Sequence, residues 1–301
     1  MKPPPALTRL TEKWLELPAN LRGFIWLSAG TLIVALTDAA IKVLGRTIPP
    51  VELVFFRYVV GIIILMPLFY RMGLAGLKTH RPAPHICRLF LATLGQTGIF
   101  ISIVHMNLAD ATALMFSKPL FTTIIAVLFL SELVSGRRWT ATIIGFLGVI
   151  IMLRPGAGVI DPYALVAVGA AISMAMANAL IRFMAPTEPP TRILFYYHFG
   201  GVILLAGPAL WVWRTPVGMD WLIIFLLGAG QTLAMICYVR AFSVGEANAI
   251  GPSEYARLIY AGLIGVFLFG ETIDIWTLVG VTIIAVATLY IAREESRKPA
   301  P

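Results

Sequence analysis

Read from its N-terminus, the chain is a succession of long apolar runs separated by short polar ones. Each run holds about 20 residues, enough to cross roughly 30 Å of hydrocarbon as an α-helix. Apolar residues are continuous within a run rather than alternating, which excludes a transmembrane β-barrel. The pattern predicts ten spans, at about 21–45, 50–72, 85–107, 109–131, 137–154, 160–183, 189–213, 218–243, 246–270 and 272–292. The expected fold class is an all-α polytopic membrane protein.

The runs repeat. IKVLGRTIPPVELVFFRYVVG (41–61) matches IRFMAPTEPPTRILFYYHFGG (181–201) without a gap, at a shift of 140. LGQT (94–97) recurs as AGQT (229–232), LADATAL (108–114) as VGEANAI (244–250), and KPLFTTIIAVLFLSE (118–132) falls on RLIYAGLIGVFLFGE (257–271). Five spans per unit is an odd number, so the two copies enter the membrane from opposite sides. Ten transmembrane helices as two inverted five-helix repeats is the architecture of alternating-access transporters. The expected organisation is a cytoplasmic N-terminal segment (1–20), a first repeat (21–156), a second (157–293) and a cytoplasmic tail (294–301).

Composition agrees. Of 301 residues 59% are apolar and 13% charged, against about 25% charged in soluble domains. The net charge of +8 is spread by side of the membrane rather than gathered into a nucleic-acid patch. With both termini on one side, sixteen Lys and Arg share that side, from Lys2 to Lys298 and including Arg88, and four (Lys42, Arg46, Arg154, Arg214) fall opposite. That bias places both termini in the cytoplasm, and the expected location is a bacterial inner membrane. The first 20 residues are too polar for a signal peptide and lack a small-residue cleavage site. Cys87 and Cys237 fall inside spans and read as small buried residues, with no disulfide or metal site.

Lys118 interrupts the apolar run ALMFSKPLFTTIIAVLFL (113–130). A charge at the bilayer centre costs about 3 kcal/mol on insertion scales, so something must offset it. Its repeat counterpart is Arg257, and each cation lies roughly 12–15 Å into its helix. Each also adjoins a helix disturbance, Pro119 after Lys118 and Gly251–Pro252 before Arg257. Glu254 stands three residues before Arg257, where the two can pair on one face. The trio Lys118, Arg257 and Glu254 is net positive. It reads either as an ion network joining spans four and nine or, preferred here, as a site for a carboxylate or phosphate.

Other polar positions carry two readings each. Gln96 and Gln231 are equivalent midspan residues, serving equally as interhelical glue or as ligand donors and acceptors. Asp38 and Asn178 are also equivalent. Asp38 either pairs with Arg57 on the neighbouring antiparallel span, the preferred reading, or carries a proton. Glu132 and Glu271 end spans four and nine and read as caps. His105 and His198 read as hydrogen-bonded helix contacts or titrating groups. Tyr238, Tyr255 and Tyr260 are candidates for stacking on a ligand. No Walker loop, dinucleotide fingerprint, zinc-protease motif or nucleophile elbow occurs. No cofactor, metal or catalytic group is expected, and transport would run on a gradient or on exchange.

The two five-span units, with leaders such as KPLFTTIIAVLFLSE and FLFGE, resemble the EamA repeats of the drug/metabolite transporter superfamily over about residues 22–292. IPPVELVFFRYVVGIIILMP, LKTHRPAPHICRLFLA, RRWTATIIGFLGVIIMLRPG and AISMAMANALI are similar to the S-adenosylmethionine uptake transporters of intracellular bacteria, a branch near riboflavin importers and metabolite exporters. The chain departs from that pattern at Lys118, where the family is usually apolar. The resemblance implies a basket of helices, with spans one to four and six to nine around a cavity and the fifth and tenth outside. It implies a secondary transporter that takes up or exchanges a small polar metabolite bearing an amino-acid or heterocyclic part. An exporter of amino acids or a riboflavin importer are the alternatives in class, and an intramembrane enzyme the alternative outside it. In this reading Lys118 and Arg257 hold an anionic group, and Glu254 an amino group or coupling proton. Gln96 and Gln231 orient the rest, and Tyr238 and Tyr255 stack on it.

Overall fold

The computed structural model describes residues 16–130, 135–153, 161–245 and 250–295, and among them the chain is helical throughout, with no strand. The first repeat holds α1 (Ala19–Leu44), α2 (Pro50–Leu77), α3 (Pro82–His105), α4 (Leu108–Met115, resumed at Lys118–Leu130) and α5 (Gly136–Leu153). The second holds α6 (Pro162–Met184), α7 (Pro190–Trp211), α8 (Asp220–Val244), α9 (a 3-10 segment Gly251–Tyr255 continued as Ala256–Phe269) and α10 (Ile275–Glu295). Starts are written in the sequence. Four of these helices open on proline, whose fixed φ suits a first helical residue and whose missing N–H costs nothing there. Asp161 caps α6, its carboxylate accepting from the Tyr163 amide at 2.9 Å.

Among the described residues seven helices are long and apolar enough to cross a membrane, and α10 has a shorter apolar stretch, Ile275–Ile291. The two that fall short, α4 and α9, each break within the span, whereas the kink of α2 at Gly73 lies beyond most of its length. Helix α4 opens at Phe116–Ser117, where Pro119 offers no N–H to the preceding turn. The Gly251–Pro252 start of α9 winds as a 3-10 turn. Both breaks adjoin the intramembrane charges, as the sequence predicts.

Packing follows the repeat. Helix α1 lies on α8 and α3 on α6, while α2 packs on α7, α5 on α10 and α4 on α9. Exchanging the two halves maps this set of contacts onto itself. The relation holds at atomic detail around the α2–α7 crossing. Gly61 faces the His198 ring, and Gly201 faces the Tyr58 ring. Those two contacts interchange under the shift of 140. Five-helix units related this way are inverted in the membrane. Lipid supplies no hydrophobic drive between helices, so close approach of small residues does the joining. At the α5–α10 crossing a Cβ on Gly148 would sit 2.9 Å from the Gly280 carbonyl oxygen, and one on Gly280 2.8 Å from that of Gly148.

Buried polar contacts tie the helices together at both ends of the bundle. At one end Gly270, with φ +65°, terminates α9 and turns the Glu271 amide back to the Gly265 carbonyl at 2.9 Å. The Glu271 carboxylate then accepts from the Leu108 amide at 2.8 Å and pairs with Lys42, which also donates to the Met106 carbonyl. Glu271 therefore caps the start of α4 rather than its own turn. Its counterpart Glu132 lies outside the described residues. At the other end Glu188, 3% exposed, accepts from Thr79 at 2.6 Å and from Arg192 at 2.8 Å, with His85 at 3.5 Å. Arg192 also donates to the Gly76 carbonyl at 2.7 Å, and Tyr196 to that of Leu77 at 3.0 Å. Burial pushes the Glu188 carboxyl up, but the hydrogen bonds from Thr79 and Arg192 and the Arg192 charge together hold it below the usual carboxylate range.

Candidate functional site

The intramembrane charges gather where α1, α4 and α9 meet, and Asp38 belongs with them. Arg257 donates to one Asp38 oxygen from Nη2 at 2.6 Å and from Nε at 3.2 Å. The Asp38 side chain is 3% exposed and that of Arg257 22%. Two sequence expectations are corrected here. Asp38 does not pair with Arg57, because α2 packs chiefly on α7 and carries Arg57 to Tyr197, whose hydroxyl it meets at 3.0 Å. Arg257 does not pair with Glu254 on its own helix. It turns to α1, where a fully buried carboxylate without a cation would be far costlier than a half-buried one.

The count of charge changes with it. Lys118, Glu254, Arg257 and Asp38 hold two charges of each sign, so the expected net positive site is neutral. Within it Arg257 is taken by Asp38. Lys118 and Glu254 remain, both half-buried, each the strongest charged influence on the other, yet beyond ion-pair distance. The ammonium and the carboxylate are left with no ion pair between them, a gap in the pairing of the quartet.

The repeat explains why Lys118 is left over. Helices α6 and α4 pack as α1 and α9 do, and Lys118 stands where Arg257 stands in the other half. The place of Asp38 is taken by Asn178, half-buried on α6. An amide cannot neutralise an ammonium, so the half that carries Lys118 lacks the carboxylate that its counterpart has.

The remaining candidates divide. Gln231 donates to the Thr37 hydroxyl at 2.7 Å and so joins α8 to α1. Gln96 is buried on α3 against α6, where Ala177 replaces Thr37. Tyr238 is half-buried, its ring packs against Gly30, and its hydroxyl is within the fields of Glu254, Arg257 and Asp38. Tyr255 points to α10, its hydroxyl bonded to that of Thr288 and its ring 5.2 Å from that of Phe116. His105 is the last residue of α3, exposed, and stacked at 4.3 Å on Tyr163. His198 bonds its own helix at the Leu194 carbonyl, 2.9 Å away. Sequence reasoning missed Thr37, which an unremarkable apolar context hides. It also gave no sign that Arg88, counted with the cytoplasmic-side cations, is 8% exposed, with its guanidinium 4.9 Å from the Tyr197 ring centre.

An inverted ten-helix membrane bundle with unpaired charges at its two broken helices is the build of a secondary transporter. The chain belongs to the EamA-like transporter family, which it matches over residues 21–154 and 161–293. It is 33% identical over 281 residues to an S-adenosylmethionine uptake transporter of Rickettsia felis, covering 93% of this chain and 96% of the relative. It is 27% identical over 288 residues to a riboflavin transporter of Vibrio cholerae, covering 92% and 95%. A solved crystal structure shares the fold with a TM-score of 0.61 at 17% identity, over 92% of this chain and 98% of the other.

Proposed function

We propose that the protein takes up or exchanges a solute bearing an α-amino-acid group across a bacterial inner membrane, both termini being cytoplasmic, by alternating access about the Lys118–Glu254 gap. The observation that carries this reading is that Lys118 and Glu254, half-buried on the two broken helices, take part in none of the ion pairs among the described residues. Lys118 offers three N–H donors and a positive charge to a carboxylate, and Glu254 offers two acceptor oxygens to an ammonium. A zwitterion between them completes two charge pairs at once, while the Asp38–Arg257 pair beside it stays neutral. Asn178 has donor and acceptor atoms for the same solute. Gln96 and Tyr238 are the nearest candidates for the remainder of the solute, and Glu254 is the candidate for a coupling proton when no solute is bound. The Rickettsia relatives favour S-adenosylmethionine, whose amino-acid end is of this kind. Riboflavin has no such end, so the neutral quartet disfavours the second reading.

Counterflow into proteoliposomes loaded with unlabelled S-adenosylmethionine tests this. Labelled solute should accumulate unchanged. Recovery of a chemically altered product outside, with none inside, would mean an intramembrane enzyme instead. No accumulation beyond empty liposomes would remove this substrate.

A further inference from the structure

The contact of α2, α3 and α7 holds a second group of charges, away from the first. Arg57 on α2 donates from Nη1 to the Tyr197 hydroxyl at 3.0 Å, and its guanidinium lies 5.7 Å from the Tyr58 ring centre and 6.0 Å from that of Tyr197. Arg88 on α3 lies over Tyr197 from 4.9 Å and is 8% exposed. The Nε of each arginine is buried without a hydrogen-bond partner. Tyr58 is engaged with the Thr93 hydroxyl at 3.2 Å. Among the described residues no carboxylate lies within ion-pair distance of either guanidinium; the Asp and Glu ion pairs go to Lys42, His85, Arg192 and Arg257.

A guanidinium stays charged in any protein environment, and aromatic faces offset its desolvation only in part. Two of them around one phenol, in the interior of a membrane protein, call for an anion that the chain does not supply. The depth limits what it can be. Arg57 is seven residues into α2 and Tyr197 seven into α7, helices that start at opposite ends of the bundle. Each is therefore about 10 Å in from its own end, beyond a lipid headgroup. The guanidinium fork presents parallel N–H donors to two oxygens of one group.

We propose that Arg57 and Arg88, with the Tyr197 side chain that both contact, form a binding site for a small oxyanion, a carboxylate or a phosphate. It belongs to a transported solute or to a free anion moved with or against one. The site shares no residue with the Lys118–Glu254 gap and stands or falls separately from the function proposed above.

Thermal unfolding of the purified full chain, titrated with sodium acetate or sodium phosphate against sodium chloride at equal ionic strength, tests the site. In wild type, one of the two oxyanions should raise the melting temperature in a saturable way. Arg88→Gln should need at least tenfold more of it, and Arg88→Lys an intermediate amount. Should Arg88→Gln fail to fold, Tyr197→Phe, which frees Arg57, should weaken the same response. Labelled acetate or phosphate in proteoliposomes separates the sources. Uptake marks a transported anion, and a melting shift without uptake marks the anionic group of a larger solute; either supports the site. Wild type indifferent to both oxyanions would overturn it. So would a response equal in Arg88→Gln and wild type.

Discussion

Arg257 on α9 reaches the Asp38 carboxylate of α1 at 2.6 Å, across 219 positions of sequence, and that pair decides which charges remain for a solute. Removing one partner strands the other in the bundle. Asp38→Asn should destabilise the protein by about 3–5 kcal/mol, the usual cost of an uncompensated buried charge. Removing both, as Asp38→Leu with Arg257→Met, should recover most of that loss. Melting temperatures of Asp38→Leu, Arg257→Met and the double variant check it. Additive losses would show that the pair contributes no coupling.

The asymmetry between Asp38 and Asn178 gives a second expectation. Asn178→Asp restores to the Lys118 half the carboxylate that Arg257 already has. The new pair should hold or raise thermal stability while solute uptake falls at least tenfold, because Lys118 is then occupied. Uptake and melting measured on one preparation suffice. Unchanged uptake would mean that Lys118 does not face α6 as Arg257 faces α1.

How far this was legible in the sequence depends on distance along the chain. Hydropathy places the ten helices to within a few residues over the described segments, because lipid demands long apolar helices whatever their tertiary contacts. Pro119 and Gly251–Pro252 mark the two broken helices, since a missing N–H acts locally. Partner choice among charges was not legible. Glu254 is near Arg257 in sequence and Arg57 lies on the span next to Asp38, yet helices far apart along the chain supply the true partners. Arg88 is counted in the sequence only as one of the cytoplasmic-side cations. Its burial is set by Tyr197, 109 positions away, which no local pattern announces.

The Glu188 cluster predicts a pH dependence with a definite sign. Its carboxyl is held below the usual range in the folded protein, so it contributes stability above the unfolded carboxylate pKa of about 4.3. That contribution is lost as pH falls through the lower folded value. Melting temperature should therefore drop on acidification from about pH 5 downward, and Glu188→Gln should lower the melting temperature at pH 7 while flattening the drop. An equally steep acid limb in Glu188→Gln would assign it to other carboxylates.

Orientation follows from charge and from the inverted repeat together. Cysteines placed at Lys78, beyond α2, and at Thr215, beyond α7, should label from opposite faces of the membrane, Lys78 from the cytoplasm. Labelling from one face would remove the odd number of spans between them, and with it the inverted pair.

The central claim is that the Lys118 ammonium receives a solute carboxylate. The most direct measurement compares uptake of S-adenosylmethionine with that of its decarboxylated analogue, in wild type and in Lys118→Met. Losing a desolvated charge partner costs about 2–4 kcal/mol, or roughly 30-fold or more in affinity. Wild type should therefore prefer the intact solute by at least that factor. Lys118→Met should fold to normal abundance, since it removes a buried charge, and should lose the preference. Equal uptake of the two compounds by wild type, or an undiminished preference in Lys118→Met, would contradict the account.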